Sequence, residues 1–147
     1  MREIRKIILH CTDSTWGNLE EIDKWHRQRG WDGIGYHYLI LNSYETYSNF
    51  KERVMKPEND GLIVEGRPVW QQGAHCRGHN LDSIGVALVG IDIFSKAQVY
   101  SAVKLIKLLM KQFNVKISNV YGHYEFNSYK SCPNINMNWF RGLFDVV

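Results

Sequence analysis

The sequence has few cysteines: three in 147 residues, far apart from one another. An odd number of widely spaced cysteines is a poor disulfide framework, so free thiols or metal ligands in a reducing compartment are expected. No apolar run is long enough to cross a membrane. The short apolar run near the N-terminus is not followed by the small-residue cleavage site of a signal peptide. We therefore expect a protein that is cytoplasmic as synthesised and reaches any target outside the cell only after release or delivery.

The sequence also lacks a strong excess of charge of one sign. Its net charge is +3 and its pI about 8.7, and it has no block of five or six like charges. Such a weak charge favours an anionic ligand but is too small to argue for a nucleic-acid partner. We expect neither a nucleic-acid nor a membrane partner. Hydrophobic residues make up 44% of the chain, enough for a real core. We expect one domain over residues 1–147, without repeats, acting as a monomer.

Strand and helix patterns alternate along the chain. Helical spacing of apolar residues follows two N-cap candidates, Asn18 and Ser95. This alternation predicts an α/β fold with a central mixed β-sheet flanked by helices. Residues 43–58 are polar and irregular and are interpreted as an insertion in a hairpin. The predicted strands lie at residues 4–11, 35–42, 83–90 and 117–123, and a further strand follows the Asp-Gly turn within residues 59–67. The predicted helices lie at 18–30 and 95–113, with one or two helical turns at 137–144.

Three residues suit a metal site. His10 and His123 each lie at the end of a predicted strand, and Cys132 follows a turn. If the two strands are neighbours, both imidazoles and the thiol can converge on one ion. Two imidazoles and a thiolate suit Zn²⁺; three protein ligands indicate a catalytic site, whereas a fourth would make the site structural. The alternative is that each histidine is an ordinary hydrogen-bonded group. Cys11 and Cys76 suit buried apolar positions better.

Lys130 is a candidate for catalysis by its position. It precedes Cys132 by two residues, so its ammonium can reach an oxygen that becomes negative during attack on a carbonyl. The alternative is a solvated lysine. Tyr36 lies in the second predicted strand, and periodicity alone favours a half-buried strand aromatic there.

A glycine-rich polar loop, residues 73–85, precedes the strand that is predicted to be central. Its polar residues His75, Arg77 and Asn80 are candidate substrate contacts, because loops that enter a rigid sheet commonly carry binding residues. The alternative is an ordinary surface loop.

The blocks "IILHCTDS", "GYHYLI", "DGLIVEGRPVWQQGAHCRGHN", "SIGVALVG" and "GHYEFNSYKSCP" follow one another in a recognisable order. In that order they resemble zinc-dependent N-acetylmuramoyl-L-alanine amidases. The likeness is greatest to the short phage lysozyme-amidases, in the superfamily that includes peptidoglycan-recognition proteins. The resemblance covers nearly the whole chain and implies a mixed sheet with zinc at the bottom of a surface groove.

The resemblance also implies roles for particular residues. His10, His123 and Cys132 match the zinc ligands, while Tyr36 and Lys130 match catalytic residues. His75 matches a histidine in the substrate groove. The implied reaction is hydrolysis, by a metal-activated water, of the amide between N-acetylmuramic acid and L-alanine in peptidoglycan. The alternative is a peptidoglycan-binding module without catalysis.

The chain departs from the family pattern in three places. Residues 43–58 look inserted, the segment between His123 and Cys132 is one residue longer, and Asn134 stands where glycine is common. These differences affect the edge of the groove and not the expected ligands. Glu125 is a further candidate, as an acceptor for a metal-bound histidine, with a solvated carboxylate as the alternative.

Overall fold

The computed structural model describes residues 2–147 and contains one five-stranded sheet. Single turns of 3-10 helix lie at Pro57–Asn59, Ile117–Asn119, His123–Glu125 and Leu143–Asp145. The strands are β1 (Lys6–Cys11), β2 (Tyr38–Ile40), β3 (Ile63–Glu65), β4 (Ser83–Leu88) and β5 (Val120–Gly122), and the helices are α1 (Leu19–Gln28), α2 (Tyr47–Lys51), α3 (Lys96–Phe113) and α4 (Met137–Gly142).

The strand order is β3-β2-β4-β1-β5. The pairs β2–β4, β4–β1 and β1–β5 are parallel, and only β3 runs antiparallel, against β2. Helix α1 connects β1 to β2 and α3 connects β4 to β5. The predicted mixed sheet flanked by helices is therefore confirmed.

Successive residues along a strand point to opposite faces of the sheet, and both faces of the central strands carry a buried apolar cluster. Along β4, Ile84, Val86 and Leu88 belong to a core cluster that includes residues of α3 and α4. Ala87 belongs to the opposite cluster, with Ile22 of α1. All six residues of β4 are buried, as its continuous apolar run predicts.

The two long helices begin at the predicted caps. The Asn18 side chain accepts a hydrogen bond from the Glu21 N–H, and the Ser95 side chain accepts one from the Gln98 N–H. Each bond satisfies a backbone donor that the helix itself leaves unpaired. Within residues 2–147, no helix is both long and apolar enough to cross a membrane.

The region around the second strand differs from the prediction. Strand β2 covers only residues 38–40 of the predicted 35–42, so Tyr36 precedes the strand. The predicted irregular segment 43–58 contains α2, which begins at a Thr46 cap whose side chain accepts the Asn49 N–H. This segment connects β2 to β3; that it is inserted relative to the family stays a prediction.

Candidate active site

The sheet topology brings the two candidate histidines together. β1 and β5 are adjacent and parallel, with Leu9 opposite Gly122. His10 and His123 each follow directly after this pair, so both lie at the carboxyl edge of the sheet. Because Leu9 packs into the α3 core, His10 points to the opposite face. The ring centroids of His10 and His123 are 4.7 Å apart.

Cys132 reaches the same edge from the loop after β5. Its carbonyl accepts the Tyr124 N–H at 2.9 Å, which holds the loop against the turn at His123. Its Sγ accepts the Cys11 N–H at 3.2 Å and lies 3.9 Å from Nδ1 of His10. The structure therefore brings together the three residues predicted as metal ligands: one ligand atom from each lies within 4.8 Å of the other two.

The donor set fits a zinc ion. A tetrahedral zinc with bonds of about 2.0–2.3 Å holds its ligand atoms about 3.3–3.7 Å apart, so small side-chain rotations bring these atoms to one ion. Burial lowers the pKa of His10 and of His123, so both imidazoles are neutral at pH 7. The hydrogen bond with the Cys11 thiol, together with burial, raises the pKa of Cys132. Metal binding must therefore displace the Cys132 proton.

The three residues line a surface cavity of about 860 Å³. This size suits a ligand larger than a single amino acid. Besides the predicted residues, the cavity is lined by polar and aromatic side chains that the sequence reading did not single out. They include Asp13, Arg29, Trp31, Phe126, Asn127 and Tyr129.

Tyr36 forms part of the cavity wall. Its ring packs against His10 and against His26 of α1, with 5.2 Å between ring centroids in each pair. Burial raises the pKa of its phenol, so the hydroxyl keeps its proton at neutral pH. Tyr36 is thus available as a hydrogen-bond donor beside the candidate metal site.

Lys130 lies exposed at the rim of the cavity. Its ammonium is close enough to His123 to add to the lowering of that imidazole's pKa by burial. An exposed cation beside the candidate ligands can interact with a negative group in the cavity. Its catalytic role stays a prediction.

The three predicted substrate contacts all line the cavity but have different surroundings. Arg77 is exposed at the rim. Asn80 is half-buried, and its Oδ1 accepts the backbone N–H groups of His75 and Cys76, both at 2.9 Å. His75 is buried, with its ring nitrogens near His10 and Ser83. Substrate contact by these residues stays a prediction.

Glu125 does not bond a candidate metal ligand. Its carboxylate accepts the Gly122 N–H and two hydrogen bonds from the Arg141 guanidinium. The local sequence does not indicate that Arg141 of α4 is the partner of Glu125. The ion pair between them ties the end of β5 to α4. The carboxylate is therefore ion-paired at the surface, with 26% of its side chain exposed.

The other cysteines are buried, as predicted. Cys76 is 2% exposed, and burial raises its pKa to about 11. Cys11 is 4% exposed, but its thiol lies beside Cys132 at the cavity rather than inside a core cluster. Alternation along β1 predicts that Cys11 is buried. It does not predict the contact with Cys132, because Cys132 lies on a loop that is remote in sequence.

Comparison with known families identifies the class of protein. A family model described as N-acetylmuramoyl-L-alanine amidase matches residues 1–135. That span includes all three candidate ligands. The chain belongs to this family of amidases, and the resemblance read from its motifs is confirmed.

Individual relatives agree with this assignment. The endolysin of Escherichia phage T7 is 30% identical over 142 residues, covering 89% of this chain and 81% of the endolysin. The solved structure of N-acetylmuramoyl-L-alanine amidase LysC from Clostridium intestinale has a TM-score of 0.80 at 26% identity, covering 98% of this chain and 87% of LysC. Peptidoglycan-recognition protein SC2 of Drosophila melanogaster is 27% identical over 124 residues, 81% of this chain and 58% of that protein.

Proposed function

We propose that this chain is a zinc-dependent amidase that hydrolyses the bond between N-acetylmuramic acid and L-alanine in peptidoglycan. The proposal is carried by the convergence of His10, His123 and Cys132 in a cavity of a member of this family. Two imidazoles and one thiolate leave a coordination position open, as in catalytic zinc sites. When bound, zinc supplies a Lewis acid that polarises the substrate carbonyl and lowers the pKa of water.

Tyr36 and Lys130 suit the charge that develops during the reaction. Attack of water on the lactyl carbonyl carbon moves negative charge onto the carbonyl oxygen. The Tyr36 hydroxyl, which keeps its proton, donates a hydrogen bond to this oxygen or orients the water. The Lys130 ammonium stabilises the same oxyanion from the rim. The carbon–nitrogen bond then breaks, and the alanine nitrogen gains a proton to balance the one that the attacking water has lost.

The cavity rim suits an anionic peptide. Arg77 is exposed there and can pair with a carboxylate of the stem peptide through two parallel hydrogen bonds. Action as a monomer is part of this proposal. The likeness to a phage endolysin supports a bacterial cell wall as the target, reached after release or delivery.

The second candidate is a module that binds peptidoglycan without cutting it. The likeness to a peptidoglycan-recognition protein favours it. The complete candidate ligand set, with Tyr36 and Lys130 beside it, favours the amidase.

One digestion experiment distinguishes the two functions. The purified chain, loaded with one equivalent of zinc, is incubated with isolated peptidoglycan, and the products are analysed by mass spectrometry. We expect stem peptides with a free L-alanine amino group and glycan strands that keep the lactyl carboxylate. A chelator should stop the release and added zinc should restore it. Retention of the chain on peptidoglycan without released peptides would instead support the binding module.

A further inference from the structure

The two nitrogens of the His10 ring face in different directions. Nδ1 faces Sγ of Cys132, and Nε2 lies 2.8 Å from Nδ1 of His75. The other nitrogen of His75, Nε2, is 3.2 Å from Oγ of Ser83. These three side chains are 1%, 7% and 0% exposed, in the order His10, His75, Ser83. They form a buried hydrogen-bonded chain that begins at a candidate metal ligand and ends at the first residue of β4.

The direction of each hydrogen bond follows from the chemistry of His10. A nitrogen that binds a metal cation carries no proton, so a neutral His10 that binds through Nδ1 has its hydrogen on Nε2. That hydrogen is donated to Nδ1 of His75. His75 then carries its own hydrogen on Nε2 and donates it to Ser83. One set of tautomers therefore satisfies both hydrogen bonds that link these three side chains.

The surrounding backbone leaves room for His75 at this one place. A Cβ at Gly85 would lie 2.6 Å from Cγ of His75, and a Cβ at Gly73 would lie 2.7 Å from its Cδ2. Both distances are too short for real contacts, so glycine at these positions makes space for the ring. Asn80 fixes the backbone of His75 by accepting its N–H. The ring is thus held by its backbone, by its packing and by Ser83.

We propose that His75 is a positioning residue, which accepts the Nε2 hydrogen of His10 and thereby turns Nδ1 of His10 toward the metal. The inference rests on the proposed function, because it requires His10 to be a metal ligand. Metal-bound histidines usually donate this hydrogen to a carboxylate, a backbone carbonyl or water, and such partners contribute strongly to metal affinity. Here a second histidine, fixed by Ser83, takes that place.

The test measures zinc affinity by competition with a chromophoric chelator. His75→Leu removes the acceptor and should weaken zinc binding about 10- to 100-fold. His75→Asn keeps an acceptor oxygen near the position of Nδ1 and should recover most of the loss. His37→Asn is the control for packing: His37 is also buried and its ring meets the ring of His75 edge-on at 5.7 Å, but its hydrogen-bond partners do not include His10. Its zinc affinity should equal that of the wild type.

The possible outcomes separate this inference from the proposed function. A wild-type chain that does not bind zinc contradicts the proposed function. A wild-type chain that binds zinc, with equal affinity in His75→Leu, overturns the positioning role alone. Should His75→Leu fail to fold, Ser83→Ala decides: several-fold weaker binding supports the role, and unchanged binding overturns it. Long-range ¹H–¹⁵N NMR spectra of the zinc form should show His75 with its hydrogen on Nε2; a hydrogen on Nδ1 overturns the inference.

Discussion

His10 and His123 come from opposite ends of the chain, and their imidazole rings meet with centroids 4.7 Å apart at an interplanar angle of 62°. The contact exists because β5, the last strand, is added beside β1, the first, in parallel. Parallel strands present their carboxyl ends at one edge of the sheet, where side chains of remote segments can combine. The candidate metal site is therefore a consequence of strand order.

Replacing Cys132 tests the ligand set. Cys132→Ser removes the thiolate, and we expect zinc content and peptidoglycan hydrolysis to be lost together, since a serine hydroxyl is a poor zinc ligand at neutral pH. Metal analysis after dialysis and a digestion assay measure the two effects. Cys76→Ala is the control, because Cys76 is buried but is not one of the candidate ligands. This variant should keep its zinc. Full zinc occupancy in Cys132→Ser would contradict the assignment.

Replacing Lys130 separates catalysis from metal binding. Lys130→Ala should leave zinc content unchanged and lower kcat about 100- to 1,000-fold if the ammonium stabilises the oxyanion. Steady-state kinetics on purified peptidoglycan fragments measure this effect. Lys116→Ala, which removes an exposed lysine outside the cavity lining, should retain full activity. Equal turnover in Lys130→Ala would remove the catalytic role.

Adding one methyl group at Gly85 tests the packing around His75. The new Cβ would lie 2.6 Å from the buried ring, and overpacking of this kind costs about 1–3 kcal/mol. Chemical unfolding of Gly85→Ala should show that loss, together with weaker zinc binding. In Gly142→Ala the new Cβ meets no atom within 4 Å, at the end of α4, so stability should stay the same or rise by up to about 1 kcal/mol. Equal stability of both variants would contradict the packing.

Buried histidines predict that mild acid destabilises the fold. Burial lowers the pKa of His26 and of His37 from 6.5 to about 4. Between these values the unfolded chain binds more protons than the folded chain, so the free energy of unfolding falls as the pH falls. Each residue contributes up to about 1.4 kcal/mol per pH unit.

Urea unfolding between pH 6.5 and pH 5 measures this slope. The variant His37→Asn, which cannot titrate at this position, should show a smaller slope than the wild type. A free energy of unfolding that does not change over this pH range would contradict the buried, neutral state of these imidazoles.

The long elements were predictable because their signals are local. Helices α1 and α3 have N-caps within the sequence and apolar residues at helical spacing, and β4 is a continuous apolar run. The short strands β2, β3 and β5 have three residues each and were predicted too long. A three-residue strand is defined by its partners in the sheet, which no local pattern specifies.

The candidate ligands were also predictable, but the hydrogen bonds that hold the surrounding residues in place were not. Motif order and residue chemistry single out His10, His123 and Cys132 without knowledge of their distances. The hydrogen bonds from His75 to His10 and from Glu125 to Arg141 depend on strand order and on the packing of α4. The glycines that make room for His75 were a usable signal: Gly85 interrupts an otherwise apolar strand, which indicates a close approach by another group.

X-ray absorption at the zinc edge, on the purified chain with one equivalent of zinc, tests the shared metal site most directly. The site predicts one sulfur at about 2.3 Å, two imidazole nitrogens at about 2.0–2.1 Å and one further light ligand. A spectrum without sulfur would exclude Cys132. A spectrum with two sulfurs would mean that Cys11 also binds the ion, closing the position that the proposed hydrolysis requires.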